Sequence, residues 1–566
     1  NDIFKEDMQC LKALQNPSVY RFLTREIRRS FSSENKFSEE LLNAMQDLKL
    51  SAKPGSISEV KNDVISFRNP VNSPLQYFRV VEGVSNNAIK GLVVSVKESS
   101  SSALLFGPAK QIKVNDEVKS TSETIKVPFD VDLSGKILDY MSRDIQNLEE
   151  PVKAAEYQEL FVKQKLVNPF KKQSPKGQVF TGNIAIDLTE PIPIGSFAYF
   201  RGNTNTGKTL MAISTIHQFL SNDYFSPRSS RMKKAIYVNI NGNTTQTVAK
   251  HLTELDMIKD TFLFTNKMGY HRGSEDYLLP YTALAYAQEL KRRGYDVLLV
   301  IDEIQEHLLK EILLFSTAKV PVPPHNIIHE VFQECGYYEK GSVTSIIIND
   351  SNTTNSQYEL EIEHQDNLIA SLAKVIVNFD LNDREFKKEF PKVNFKITPS
   401  NYRFRHHLLN SINKRLAKLL EAVRTQKTMI DNMKEFKIHY DPWDAYLYFD
   451  SQYFMRLLIT SNRYNIIEQL IVVQVVLQAV ETDTISLFKE EPEIFIQDLF
   501  RFAAEYKEFE KKDIYSYIEA LISRGLPQEE VTETIIESIN RFYEMFQVWC
   551  KVNNKLLAFK KDYTDQ

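Results

Sequence analysis

The octet Gly202-Asn203-Thr204-Asn205-Thr206-Gly207-Lys208-Thr209 holds the residue types from which a phosphate cradle is made. Glycines let backbone N–H groups close around phosphate oxygens, and a helix N-terminus behind them adds partial positive charge. The apolar run Ser196 to Phe200 predicts a buried strand before the octet, and Leu210 to Ile216 predicts a helix after it. Strand, glycine-bounded loop ending in Gly-Lys-Thr, then helix is the P-loop arrangement. There Lys208 would reach the β/γ-phosphates of ATP or ADP, and the Thr209 hydroxyl would ligate Mg2+. The candidate nucleotide-binding set is Gly202, Asn205, Thr206, Gly207, Lys208, Thr209 and Leu210. The bland alternative is a chance Gly-x4-Gly-Lys-Thr on a surface loop, and the flanking strand and helix speak against it.

A second feature with chemistry in it is the carboxylate pair Asp302-Glu303, which ends the apolar run Asp296 to Ile301. Asp302 should hold the Mg2+ shell through water. Glu303 is the adjacent acid, and in many P-loop ATPases a glutamate in this place activates water. The histidines His271, His325, His329, His406 and His407 have no metal-ligand spacing with carboxylates and read as ordinary surface or core groups. Trp443, Tyr446, Tyr448 and Phe449 read as core aromatics, with stacking on adenine as the functional alternative.

Elements able to position these groups follow from hydrophobic patterning. Residues 1–52 predict a helical arm, with an apolar stripe at Ile3, Met8, Leu11 and Leu14; it packs on its own domain or reaches a neighbour. Residues 53–130 change to short alternating segments (Ile57 to Phe67, Gly91 to Val96, Ala103 to Phe106, Thr124 to Val127), the signature of a small β-barrel or sandwich. The serine run Ser99 to Ser102 predicts a solvated hairpin tip. Residues 131–405 comprise a proline-bearing connector and a region of strands alternating with helices, which predicts a parallel sheet with ligands beyond its strand carboxyl ends. Its strands are expected at Lys234 to Ile240, Thr261 to Phe264, Asp296 to Glu303 and Ser342 to Ile348, with helices at Thr247 to Leu255 and Tyr281 to Arg292. Residues 406–566 are almost wholly helical in pattern. The fold class is thus multidomain α/β: an N-terminal β-barrel, a central P-loop (RecA-like) parallel α/β domain and a C-terminal helical domain.

Composition sets outer bounds. Net charge of −4 and a pI near 6.3 argue against nucleic acid as the main partner. Cys10, Cys335 and Cys550 form no ligand-spaced set, so neither a disulfide framework nor a metal knot is expected, and a reducing compartment is the default. No uncharged stretch approaches the ~20 residues of a membrane helix. Residue 1 is Asn, and a lost targeting peptide stays open. Only 17 residues are Gly, where average usage gives about 40; Lys, Asn, Phe and Tyr are abundant instead, a bias that warns of substituted loop glycines.

Barrel, P-loop core and helical tail, in that order, resemble the subunit plan of rotary F-type ATPases. Thr181-Gly182-Asn183-Ile184-Ala185-Ile186-Asp187 and Pro191-Ile192-Pro193-Ile194-Gly195 are similar to the segment those subunits carry before the P-loop. Gly55-Ser56-Ile57, Phe106-Gly107, Ile112 to Val118, Tyr277 to Tyr281 and Lys340 to Thr344 fall where the α subunit has similar stretches. The resemblance is distant and runs from about residue 55 to 545. It implies a hexamer in which α-like subunits bind nucleotide and alternate with catalytic β-like subunits around a γ-like central shaft. Other stalk or membrane-linked subunits are candidates to engage residues 1–52. The place it implies is cytoplasmic and peripheral to a membrane, with the mitochondrial matrix as the other option.

Within that resemblance the departures matter. β-type subunits carry the water-activating carboxylate in a Gly-Glu-Arg run after the strand that follows the P-loop. Here the matching stretch is Ile240-Asn241-Gly242-Asn243-Thr244-Thr245, with amides and hydroxyls only. An amide cannot accept the proton of water, and Asn243 stands where α-type subunits have glutamine. The chain therefore reads as α-like and non-hydrolytic, although Glu303 leaves catalysis open. The arginine that α subunits donate to a neighbour's site aligns with Asn401; Arg403 or Arg405 serves if the register shifts, or Tyr402 to Arg405 is plain basic surface. Thr204 and Asn205 replace an Arg-Gln pair, and the loop Val320 to Pro324, which would face the shaft, looks short and stiff. A specialised paralogue is expected, similar to the divergent F1-like ATPases of mollicutes, including those associated with gliding motility. A divergent organellar ATP synthase is the other source. Two further readings stand beside this one: a self-sufficient homohexameric motor using Glu303 as base, and a scaffold whose P-loop only staples the fold.

Overall fold

The computed structural model describes residues 53–70, 75–84, 90–106, 112–121, 123–146, 156–160, 171–175, 177–221, 232–240, 242, 244–266, 273–320, 326–350, 359–379, 415, 425, 464–482, 492–523 and 528–553. The expected arm 1–52, Asn241, Asn243, most of the Val320–Pro324 loop and Asn401 to Arg405 lie outside them.

Six strands, β1 (Gly55–Lys61), β2 (Val64–Arg68), β3 (Val80–Gly83), β4 (Lys90–Val96), β5 (Ser100–Phe106) and β6 (Glu117–Ser120), close into a barrel in the order β1-β2-β5-β4-β3-β6. Side chains alternate across a strand, and in β4 and β5 both faces are buried. Val93, Ala103 and Leu105 point into the barrel with Ile57, Ile65 and Phe67. Their neighbours Leu92, Val94, Leu104 and Phe106 join the core shared with the next domain. Burial on both faces is why β4 and β5 read as continuous apolar runs. The serine run is a correction: Ser100 to Ser102 belong to β5, and Ser101 and Ser102 are buried. Their hydroxyls are satisfied inside the barrel wall, that of Ser101 donating to Asn69 Oδ1 at 2.7 Å.

Beyond the barrel come β7 (Lys126–Phe129), β8 (Ile137–Leu138), β9 (Glu156–Glu159) and β10 (Gln178–Val179), then helix α1 (Ile184–Thr189) and β11 (Ile192–Pro193). The core is built from β12 (Phe197–Gly202), α2 (Lys208–Ser221), β13 (Lys233–Asn239), α3 (Thr245–Glu254), β14 (Thr261–Thr265), α4 (Gly273–Arg293) and β15 (Asp296–Asp302). It continues with α5 (Ile304–Thr317), α6 (Ile327–Glu334), β16 (Gly336–Tyr337), β17 (Ser342–Asp350), α7 (Glu359–Leu372) and β18 (Val375–Asn378). Strands pair in the order β18-β12-β17-β15-β13-β14-β8, parallel throughout, with β16 added antiparallel to β17. Ala198, Phe200, Ala235, Tyr237, Leu298 and Val300 face one layer with residues of α2 and α3. Phe197, Tyr199, Ile236, Val238, Val297 and Leu299 face the layer containing α4 and α5.

Helix α4 starts at Gly273, earlier than the proline at 280 predicts, and carries Pro280 inside it. Tyr277 to Ala287 are buried on nearly every side, so packing outweighs the ~3 kcal/mol a mid-helix proline costs. The N-terminus of α4 docks on the barrel: Gly273 N–H donates to Asp63 Oδ2 at 2.7 Å, and the Ser274 hydroxyl donates to Leu105 O. At the other end, helices α8 (Ile466–Glu481), α9 (Pro492–Glu505), α10 (Ile514–Ser523) and α11 (Gln528–Val552) form a separate core. Phe180, Ile184 and Leu188 of the α1 region insert into it. Asp187 is fully buried there, accepting from Thr181 N–H and hydroxyl, Gly182 N–H and Gln469 Nε2.

Candidate nucleotide-binding site

The octet spans the turn from β12 to α2 at the carboxyl edge of the sheet. Gly202 has φ +155°, and a Cβ there would sit 2.8 Å from the carbonyl oxygen of Phe379. Only a hydrogen fits between the two backbones. Gly207 takes φ +94°, and Asn205 the left-handed φ of +59°, a conformation asparagine tolerates better than most residues. The Thr206 hydroxyl ties the loop by donating to Asn203 O at 2.8 Å. Met211 N–H donates to Gly207 O at 2.9 Å, so the first turn of α2 rises directly from the second glycine. The N–H groups ahead of Met211 in that turn have no acceptor within the helix, which is what an anion site needs.

Lys208 is buried and turned back on its loop. Its ammonium donates to Gly202 O at 2.9 Å, to Asn203 O and to Thr206 Oγ1 at 3.3 Å, and pairs with Asp350 Oδ1 at 2.6 Å. Thr209 Oγ1 donates to Asp302 Oδ2 at 2.9 Å, bridging α2 to the end of β15. Tyr237, on the neighbouring strand, donates its hydroxyl to the same oxygen, and the Glu303 N–H donates to Asp302 Oδ1 at 3.0 Å. Burial pushes the Asp302 carboxyl above the usual carboxylate range and the negative charge of Asp350 adds to this, while the bonds from Tyr237 and Thr209 pull it back. Burial, then the Asp302 charge, raises Tyr237 well above an ordinary phenol, so it stays a donor. A hydroxyl and a carboxylate in contact beside a lysine are hard oxygen donors suited to Mg2+ next to phosphate.

Structure thus brings Gly202, Asn205, Thr206, Gly207, Lys208, Thr209 and Leu210 into one loop and helix start, with Asp302 against Thr209. Glu303 follows Asp302 with φ +58°, left-handed for a non-glycine residue, at the N-cap position of α5, where its side chain makes no capping bond. Arg403 lies outside the described residues, as does Asn243. Three residues with structural roles here were missed from sequence. Tyr237 is hidden in an apolar strand. Asn239, at the end of β13, accepts from Gly242 N–H at 2.9 Å and donates to Thr244 Oγ1 at 2.5 Å, tying the end of β13 to the start of α3. Asp350 ends β17 opposite Gly202 in register; an acid at the carboxyl end of a buried strand was the signal that could have found it. Among the described residues no group of three or more His, Cys, Asp or Glu is arranged to hold a metal. None of their helices is long and apolar enough to cross a membrane. Cys335 is a buried free thiol, and burial pushes it up to about 12; Cys550 is buried as well.

A P-loop on a parallel sheet, between a closed barrel and a helical bundle, defines the class: a RecA-like nucleotide-binding fold in a three-part chain. Residues 182–320 match the ATP synthase alpha/beta family, nucleotide-binding domain. In this domain the chain is similar to the ATP synthase alpha/beta family, as a divergent relative of its alpha subunits. It is 27% identical over 223 residues to ATP synthase subunit alpha of Mesoplasma florum, 39% of this chain and 40% of that one. To ATP synthase subunit alpha 2 of Mycoplasmopsis pulmonis it is 29% identical over 243 residues, 40% and 44%. To ATP synthase subunit alpha of Orientia tsutsugamushi it is 30% identical over 225 residues, 39% and 42%. The match spans about two fifths of the length of these relatives.

Proposed function

We propose that this chain is a nucleotide-binding, non-hydrolytic α-like subunit of an F1-type rotary assembly. In it the chain alternates with catalytic β-like subunits around a γ-like shaft, with the domains divided at about residues 52, 130 and 405. The observation that carries the binding half is the contact of Thr209 Oγ1 with Asp302 Oδ2, 2.9 Å, beside the Lys208 ammonium. Bound Mg2+ supplies charge neutralisation for phosphate oxygens; Thr209 and Asp302 would hold it, and Lys208 with the loop N–H groups would bind the phosphates. The non-hydrolytic half rests on the stretch Asn239 to Thr247, which contains neither Asp nor Glu. A carboxylate in general base catalysis contributes about 10²–10⁴ in rate, so its loss leaves binding intact and turnover negligible. Placement at the cytoplasmic side of a membrane, and a specialised role such as that of the gliding-associated mollicute ATPases, belong to the same reading. Support comes from the mollicute relatives among those matched, such as those of Mesoplasma florum and Mycoplasmopsis pulmonis.

A homohexameric motor with Glu303 as base is the second reading, favoured by the left-handed backbone at Glu303, since such conformations cluster at functional sites. The experiment is titration of purified chain with Mg-ADP, together with an ATPase assay of the chain alone and mixed with a β-type partner. Stoichiometric binding without turnover by the isolated chain is expected. Robust hydrolysis by the isolated chain, abolished in Glu303→Gln, overturns the assignment in favour of the second reading.

A further inference from the structure

We infer that Asp350 is a built-in competitor for phosphate, holding Lys208 until a nucleotide displaces it; the inference rests on the nucleotide-binding reading of the loop. An ammonium has three N–H donors. In the structure four acceptors claim them: Gly202 O, Asn203 O, Thr206 Oγ1 and Asp350 Oδ1. The donors are fully used, so an incoming phosphate oxygen must take the place of one acceptor. The two carbonyls belong to the loop backbone, and Thr206 is fixed by its bond to Asn203 O. Asp350 is the acceptor able to leave. It is the only anion among them, its side chain is one-third exposed, and it sits on the last residue of β17 where the chain leaves the sheet.

Its placement is fixed by pairing. Gly202 and Asp350 are partners in the parallel register of β12 and β17, which sets the acid beside the start of the loop. Its charge is also felt by Asp302 on the far side of Thr209. A displaced Asp350 is therefore left among negative groups, the phosphate and Asp302, unless a divalent cation is present. This makes cation and phosphate binding mutually reinforcing through one side chain: without Mg2+ the carboxylate resists displacement, and with Mg2+ the resistance falls.

The test is calorimetric titration of the full chain with ADP, in EDTA and in excess Mg2+, for the unaltered protein, Asp350→Asn and Asp350→Glu. Asp350→Asn should bind ADP in EDTA about fivefold to tenfold tighter, the size of one ordinary net hydrogen bond, since the carboxylate is partly exposed and screened. The gain should shrink in Mg2+, and Asp350→Glu should behave as the unaltered chain. Without nucleotide, Asp350→Asn should also melt at a lower temperature, because Lys208 loses its counter-ion. If Asp350→Asn fails to fold, Asp350→Ser carries the same expectation. Equal or weaker ADP binding by the neutral variant in EDTA overturns the inference while leaving nucleotide binding intact. Absence of ADP binding by the unaltered chain in both conditions sinks the reading beneath it instead.

Discussion

At the scale of residues, the P-loop is specified by contacts as much as by its motif. Gly202→Ala would force a methyl group against the Phe379 carbonyl. Overpacking of this kind costs about 1–3 kcal/mol, so thermal denaturation should register a lower melting temperature and ADP titration a weaker site. A second residue-scale prediction concerns Glu311 and His307, one turn apart on α5 and both buried. Burial pushes the Glu311 carboxyl, whose charge would be felt by Tyr277 and Tyr281, up to about 8 from 4.5. Burial pushes His307, stacked on Tyr277 near Asp276, down to about 4 from 6.5. The fold keeps both neutral. The Glu311 contribution to stability is complete below pH 4.5 and is lost as pH rises through about 8. That of His307 is complete above pH 6.5 and is lost as pH falls toward 4. Between 4.5 and 6.5 the two changes offset each other, and above 6.5 only Glu311 acts. Urea denaturation should show stability falling from pH 7 to 9 with a slope of up to about 1.4 kcal/mol per pH unit, a fall that Glu311→Gln removes.

At the scale of elements, the short helix α1 does more than connect. Asp187 gathers donors from Thr181, Gly182 and Gln469, while Ser214 of α2 donates to Thr181 O at 2.7 Å. Asp187→Ala leaves buried donors without an acceptor and should cost about 2–4 kcal/mol, read as a drop in unfolding midpoint. Gln469→Ala should cost less, and a double-mutant cycle should give a coupling between them. Such junctions explain what was legible in sequence. Apolar runs of the parallel sheet announced themselves because both faces are buried, and the octet did so because its glycines are needed for backbone approach. Ser101 and Ser102 misled because a buried serine looks like a solvated one until Asn69, 32 residues from Ser101, is seen to accept its hydroxyl. Pro280 misled because its cost is local whereas the burial that overrides it is not. Asp350, Tyr237 and Asn239 carry no motif of their own; strand order alone brings them to the loop.

At the scale of the whole molecule, two clamps hold the nucleotide-binding sheet between its neighbours. Calorimetry of the full chain should therefore resolve one cooperative transition for sheet and C-terminal helices, and Asp187→Ala should split it in two; two transitions in the unaltered chain would contradict the coupling. Mixing with a β-type partner should give particles of threefold alternation by electron microscopy, and a ring of this chain alone would contradict the proposed role. The docking of α4 on the barrel adds a mechanical corollary. Gly273 and Ser274 tie the sheet domain to the barrel, and Asp187 ties it to the C-terminal helices. In the rotary assembly proposed above, two such ties would suit a casing, and bending would fall to the proposed β-like neighbours.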